Sequence, residues 1–352
     1  MADKKIAVGI LGLGRSGWGI HARTIRNPAV SEKFQVVAVT DPITARMEEA
    51  KEVFGCRTYG SVEELVQDKE VELVVVATFN HQHVEHSIAA MRAGKDVLCE
   101  KPMASKLADA DRVIQVRNET GRILTYNHNK RFSPDFLVVQ DVLRSGVLGE
   151  ILLIRIASHS FRRRWDWQTL KSHGGGEMNN NAAHAVDAGL TLLSTLGYDV
   201  EPDVTCDVRK TPLCAGDADD HVKIVLRAKG APTIDVEVTN AAAIRQDSWY
   251  IMGTQGGLVG GAQELRWRFF NPKLLPQREA TAEPTPDRGY NREDVPWQEE
   301  SWKKGEEKTT GYDMVYLNLY ETIRNGAPVA ITPESVRKQI AIFEECRRQS
   351  PV

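Results

Sequence analysis

Lys5-Ile6-Ala7-Val8-Gly9-Ile10-Leu11-Gly12-Leu13-Gly14-Arg15-Ser16-Gly17 decides the fold of this chain, because an apolar run ends in the spacing GxGxxG and helix-compatible sequence follows from Trp18 to Ile25. Gly12 permits a tight turn, Gly14 lets backbone approach a pyrophosphate, and Gly17 allows close packing of helix on strand. Arg15 and Ser16 lie inside the same loop. The free N–H groups and positive dipole end of the helix would then hold the phosphates. A second apolar run, residues 34–40, ends at Asp41, 24 residues after Gly17. That is where the ribose-binding acid of a dinucleotide site belongs. A carboxylate there accepts hydrogen bonds from a free 2′-hydroxyl and repels a 2′-phosphate, so NAD is expected ahead of NADP. Arg46 stands five residues on and partly offsets that charge. A plainer reading of Asp41, a helix N-cap ahead of Pro42, is compatible with the first.

Outward from this unit, residues 71–77, 96–99 and 121–126 read as further strands, separated by helix-patterned stretches at 83–93 and 107–119. Short strands buried on both faces and alternating with helices define a doubly wound parallel sheet. Ligands of such sheets sit beyond the carboxyl ends of the strands, where the glycine loop, Asp41, Asn80 and Lys101 all fall. Lys101 is the leading catalytic candidate: Gly94-Lys95-Asp96-Val97-Leu98-Cys99-Glu100-Lys101-Pro102 fixes an ammonium group at a strand end beside a proline.

The pattern changes after about residue 126. Residues 151–157, 204–208, 222–227, 233–239 and 248–252 read as strands, the fourth with the cleanest alternation, as in a sheet wet on one face. The expected division is a Rossmann domain over 1–125 and a substrate-binding and oligomerisation α+β domain over 126–352, built on a large open, mostly antiparallel sheet. Residues 270–310, dense in proline and charge, read as an extended loop that either wraps a neighbouring subunit or is solvated. Helices are expected at 312–323 and 333–347, with Gly326 and Pro328 between them and Thr332 capping the second. The last helix is a candidate to pack back on the first domain.

At 352 residues, 41% hydrophobic and 26% charged, the chain is an ordinary globular one with room for two cores. Its 45 basic and 48 acidic residues give a net charge of −3, so neither nucleic acid nor a membrane surface is an expected partner. Five scattered cysteines without a CxxC pair suggest reduced thiols in the cytoplasm and no zinc site. No apolar stretch reaches the length of a membrane span.

A second constellation runs from Trp165 to Asp187, with Lys171, the triple glycine 174–176 and a helix expected to begin near Glu177. On that helix Asn180, His184 and Asp187 would share one face, and an imidazole oriented by polar neighbours can move protons near neutral pH. The glycines would let backbone crowd a ligand. Asp187 is equally plausible as an anchor of the helix. Trp165 and Trp167 offer faces for a sugar ring or belong to a core. Arg162, Arg163, Arg164 and Lys171 offer donors to an anionic group or form a solvated face.

Together these residues resemble the Gfo/Idh/MocA family of dinucleotide-dependent sugar and cyclitol oxidoreductases over nearly the whole chain. The resemblance rests on Gly12-x-Gly14-x-x-Gly17, Ala77-Thr78-Phe79-Asn80 with His83, Gly94 to Pro102, Arg131-Phe132, and Gly174-Gly175-Gly176 with His184. It implies that Lys101 is the active-site lysine, Glu100 a ribose contact and His184 the catalytic histidine. Thr78, Asn80 and His83 are placed at the cofactor, and Asn127 and Arg131 beside the substrate. It also implies a homodimer or homotetramer. The family commonly has aspartate at position 180 and often glycine at 182, where this chain has Asn180 and Ala182, and proline is common where Phe79 stands. Asparagine can orient an imidazole but cannot stabilise an imidazolium as a carboxylate does.

The expected activity is NAD-dependent hydride transfer from a secondary alcohol of a sugar, glycoside or cyclitol, with the hydroxyl proton passing to His184 or Lys101. Two other readings stand beside it. One is an NAD-retaining glycosidase that oxidises a sugar transiently so that elimination can follow. The other is a non-catalytic, NAD-responsive binding protein.

Overall fold

The computed structural model describes residues 4–305 and 309–351. Valine and isoleucine, stiff at χ1 and suited to a pleated surface covered on both sides, dominate a six-stranded sheet. Its strands are β1 (Ile6–Leu11), β2 (Phe34–Thr40), β3 (Arg57–Thr58), β4 (Leu73–Val76), β5 (Asp96–Cys99) and β6 (Leu124–Tyr126). They lie in the order β3-β2-β1-β4-β5-β6, and every pairing is parallel. β1 and β4 are buried along their whole length. Because the winding reverses between them, the crevice beyond their carboxyl ends is the ligand position of the sheet. The loops leaving β1, β4 and β5 meet there.

The glycine loop is shaped by contacts that leave no room for a side chain. Gly12 has φ +85°, and a Cβ on it would lie 2.7 Å from the Ala77 carbonyl oxygen. A Cβ on Gly17 would lie 1.8 Å from the Gly12 oxygen. Gly14 differs, since the Arg46 guanidinium, 4.0 Å away, is the sole group near its imagined Cβ. Its bare backbone therefore faces open space. The helix that follows opens with a widened π turn, Gly17–Ala22, before Arg23–Ile25.

The second sheet has eight strands: β7 (Ile151–His159), β8 (Asp203–Arg209), β9 (His221–Arg227), β10 (Thr233–Thr239), β11 (Trp249–Gly253), β12 (Gly256–Gly260), β13 (Glu264–Phe269) and β14 (Gln298–Lys303). Their order is β14-β13-β12-β11-β7-β10-β9-β8. β7 and β10 run parallel, and the other neighbours are antiparallel. Alternation separates its faces. Ile224, Ile234, Val236 and Ile251 enter a core shared with Ala182, Val186 and Leu192 of the Asn181–Thr195 helix. Arg155, Lys223, Asp235 and Glu237 form an ion-pair ladder among themselves.

Residues 298–303 correct the expectation of one loop over 270–310. They form an edge strand whose Trp302 pairs with Leu265, while the charged Glu299, Glu300 and Lys303 stay exposed. Charge of this kind is how sheet edges avoid pairing with other chains, and it hid the strand from a hydrophobic pattern. Residues 306–308 of the expected loop lie outside the described residues. The glycine-rich β12 and the short β3 likewise have no clear period, whereas the Pro134–Ser145 helix does, burying Phe136, Val139, Val142 and Leu143 on one face.

Two C-terminal helices, Gly311–Asn325 and Pro333–Gln349, return to the first sheet. Val315, Tyr316, Leu319, Val336 and Ile340 join the core of the parallel sheet, whereas Ile342, Phe343 and Cys346 join that of the second. The last helix therefore bridges both cores, and Thr332 caps it by accepting the Ser335 N–H. Among the described residues no helix is long and apolar enough to cross a membrane.

Gly17→Ala is expected to force the helix away from Gly12. Overpacking of this kind costs about 1–3 kcal/mol, so a nucleotide titration should show weakened NAD binding together with a lowered melting temperature; parent-like values of both would contradict the role given to Gly17.

Candidate active site

Lys101 leaves the carboxyl end of β5 through a cis Lys101–Pro102 peptide bond. Its Nζ donates to the Asn180 backbone oxygen at 3.0 Å and to Asn180 Oδ1 at 2.8 Å. An ammonium group has three donors, so one N–H remains for a ligand. Burial pushes the Lys101 pKa down to about 8, helped by the positive charges of Arg15 and Arg164 and opposed by Glu100 and Glu177.

Asn180 does not orient His184. It stands at the N-cap of the Asn181–Thr195 helix and not inside it, makes no capping bond, and spends its side-chain oxygen on Lys101. Asp187 faces elsewhere too. Its carboxylate takes the Arg131 fork at 2.8 and 2.6 Å and lies 3.5 Å from His128 Nδ1. His184 is half-buried with Nδ1 unpartnered, and its ring meets His128 edge-on with centroids 5.6 Å apart. Burial and the charge of Lys101 hold the His184 pKa well below the usual histidine range, which keeps the ring neutral. Lys101 and His184 thus share one electrostatic environment, the ammonium charged and the imidazole neutral near pH 7.

The triple glycine also serves a different end from the one expected. A Cβ on Gly174 would strike Asn80, one on Gly175 the Gln168 oxygen at 2.4 Å, and one on Gly176 the Asp219 carboxylate at 2.2 Å. Gly174 lets the two halves of the molecule close on each other, whereas Gly175 and Gly176 let segments of the second half pack together. Asn80 fastens the closure, donating to the Gly174 oxygen at 2.8 Å.

Glu100 lies behind Lys101, buried, with Oε1 receiving Asn127 Nδ2 at 2.9 Å and His21 Nε2 at 3.1 Å. Since a carboxylate only accepts, Nε2 carries the proton, and His21 Nδ1 lies in hydrogen-bond contact with the Tyr316 hydroxyl at 2.9 Å. Burial acts to raise the Glu100 pKa, but His21, Lys101 and Asn127 outweigh it and hold it at about 2. His21, His128 and Tyr316 escaped the sequence reading because no motif marks them. Their partners come from up to 295 positions away.

The remaining candidates divide. Asp41 Oδ2 receives the Leu13 N–H at 2.6 Å and Oδ1 the Ile43 N–H at 2.9 Å, which pins the glycine loop; the N-cap of the next helix is Ile43. Arg46 reaches both Asp41 oxygens at 3.5 Å. Thr78 bonds His86 through its hydroxyl at 3.0 Å, and buried His83, with Nδ1 2.9 Å from the Pro102 carbonyl oxygen and Nε2 3.2 Å from that of Thr78, donates to one of them as a neutral ring. Asn127 is committed to Glu100. Arg131 is committed to Asp187, and removing one partner of a buried pair costs about 3–5 kcal/mol, so a substrate gains little from it. Arg163 is exposed, as is Lys171, whose backbone N–H bonds Asp217. Trp165 is 80% exposed, whereas Trp167 packs edge-on against Phe79 at 5.1 Å, beside His173.

The cradle suits a dinucleotide: the open backbone at Gly14, the exposed Arg15 of the same loop and the Asp41–Arg46 pair surround the crevice at the switch point of the sheet. Fold and site together define a dinucleotide-dependent oxidoreductase. A family model described as an oxidoreductase family with an NAD-binding Rossmann fold matches residues 6–128, and the GFO/IDH/MocA C-terminal domain matches residues 136–259. The chain belongs to the Gfo/Idh/MocA family of NAD-binding oxidoreductases. It is 31% identical to inositol 2-dehydrogenase 2 of Saccharopolyspora erythraea over 72% of this chain and 70% of that one. It is 30% identical to the scyllo-inositol 2-dehydrogenase (NADP(+)) IolW of Bacillus subtilis over 53% of this chain and 51% of that one. The WlbA dehydrogenase of Bordetella pertussis, solved with NADH and UDP-GlcNAcA, shares the fold with a TM-score of 0.76 at 20% identity, covering 99% of this chain and 97% of that one.

The Glu100 cluster has a pH signature. The carboxyl has a folded pKa of about 2 against an ordinary 4.5, so the unfolded chain takes up this proton first. The stabilisation is complete above about 4.5 and is lost as pH falls through about 2. Glu100→Gln should flatten the dependence of unfolding free energy on pH in that window, measured by denaturant titration; an unchanged slope would contradict the assignment.

Proposed function

We propose that this chain transfers a hydride between a secondary alcohol of a sugar, glycoside or cyclitol and the nicotinamide of NAD. Bound NAD would supply the hydride acceptor for the carbinol carbon. Lys101 binds the carbinol oxygen through its third N–H and stabilises the negative charge that develops there. His184, kept neutral, accepts the hydroxyl proton. The observation that carries this reading is Lys101 gripped by both Asn180 oxygens in the electrostatic neighbourhood of His184. Two relatives named as inositol 2-dehydrogenases support a polyol substrate.

In this reading residues 1–125 hold the cofactor through Gly12, Gly14, Arg15, Ser16, Gly17, Asp41 and Arg46, with Thr78 and Glu100 toward the nicotinamide ribose. Residues 126–352 supply the substrate side, where Arg163, Trp165 and Lys171 line the approach. Exposed Tyr250 and Met252 on the open sheet face support association into a homodimer or homotetramer. Five free cysteines support a reducing, cytoplasmic setting.

A screen of nucleotide reduction across inositols, pyranoses, glycosides and uronates tests the proposal, with glycosides also offered without added nucleotide. Reduced nicotinamide is expected with at least one polyol; aglycone release without added nucleotide would point instead to glycoside cleavage. Lys101→Ala should lower kcat by at least about 10²–10³-fold with NAD affinity nearly unchanged, and parent-like turnover would refute the role of Lys101. As pH rises through about 8 the ammonium loses its proton, so kcat/KM should fall. In Asn180→Asp a carboxylate favours the charged lysine, and the alkaline limb should move upward; a limb that stays in place would show that Lys101 does not set it.

A further inference from the structure

His184 is a weak base where it stands, since burial first, and then Lys101, His128 and Lys130, disfavour a positive charge on it. The proton it accepts needs a better place for its charge. Among the described residues, three buried nitrogens of two adjacent rings have no hydrogen-bond partner: His184 Nδ1, His128 Nδ1 and His128 Nε2. Such orphans are rare in folded proteins and call for an explanation. The His184 Nε2 is not among them, which leaves that nitrogen for a ligand. Two imidazoles joined by one N–H···N bond lie about 5 Å apart between centroids, and these rings are 5.6 Å apart. A small ring movement therefore connects them. On the far side, His128 Nδ1 lies 3.5 Å from Asp187, whose position is fixed by the Arg131 fork.

We propose that His128 is the positioning residue of His184 and receives the imidazolium charge beside Asp187. This deepens the reading of Lys101 and His184 given above and rests on it. As the carbinol carbon loses its hydride, the O–H bond breaks and the proton joins His184 Nε2. The His184 Nδ1–H bond breaks and a His128 Nε2–H bond forms. No proton is left over, and the charge rests on the ring next to a carboxylate instead of the ring facing an ammonium group. Asp187 thereby serves at a distance where the aspartate common at position 180 is missing. The charged groups facing the pair are Lys101 and Glu100 from the end of β5, Lys130 and Arg131 from the turn after β6, and Asp187 from the helix. Burial pushes His128 down to about 4, with Asp187 and Glu100 drawing it upward and Arg131 and Lys101 adding to the downward push.

His128→Phe keeps the ring volume and removes both nitrogens. The experiment is side-chain ¹⁵N NMR of histidine-labelled, NAD-loaded protein, with pH profiles of kcat/KM on the polyol found in the screen. In the parent, His184 should hold its proton on Nδ1. In His128→Phe that tautomer preference should be lost, and kcat/KM should fall about 100-fold with KM and NAD affinity held within threefold. His128→Leu, which also removes both nitrogens and leaves the Arg131–Asp187 pair in place, provides the second variant if the first does not fold, and should move the His184 resonances and the acid limb of the profile. Parent-like resonances and profile in the variant that folds would overturn the proposal. If the screen yields no alcohol substrate, the parent reading fails, while the tautomer measurement still decides the coupling of the two rings.

Discussion

The grip of Asn180 on the Lys101 ammonium joins the two sheets at the point where chemistry is expected. One partner leaves the end of β5, the other stands at the entry to the helix that covers the second sheet, and 79 positions separate them. Because two of three N–H groups are spent on oxygens that carry no full charge, the lysine is fixed in direction yet not neutralised. Burial then brings its pKa to about 8, close enough to neutrality for an ammonium group that must interact with an alkoxide and still retain its proton.

Around this contact the molecule keeps its buried charges in separate compartments. Glu100 takes hydrogen bonds from His21 and Asn127, and Asp187 takes the Arg131 fork. Each carboxylate is satisfied by neighbours on its own side. A buried charge is tolerated only when paired and hydrogen-bonded, and these pairings tie the helix bearing Tyr316 to the cofactor crevice. The same logic explains the glycines at 174–176. They are small because protein must approach protein: Gly174 meets Asn80 across the two halves, and Gly175 and Gly176 meet Gln168 and Asp219 within the second.

Much of this was legible in the chain. The apolar runs at 34–40, 96–99 and 233–239 coincide with strands because both-face or alternating burial leaves a direct imprint on hydrophobicity. The glycine loop was legible because Gly12 and Gly17 answer to contacts within a few residues. What stayed hidden depends on long-range closure. Tyr316 and His21 have no local pattern. His128 looks like any histidine after a strand, and Asn180 shows its partner only once the helix start is seen to fall after it. The edge strand 298–303 was concealed by the charges that keep it soluble.

The central claim is that the Lys101 ammonium and the His184 imidazole attend one carbinol. Its most direct test is a crystal structure of the protein with NADH and a polyol identified by turnover. The account predicts Lys101 Nζ and His184 Nε2 each about 3 Å from the same hydroxyl oxygen. A polyol bound with the two groups directed to different oxygens, or into different cavities, would contradict it.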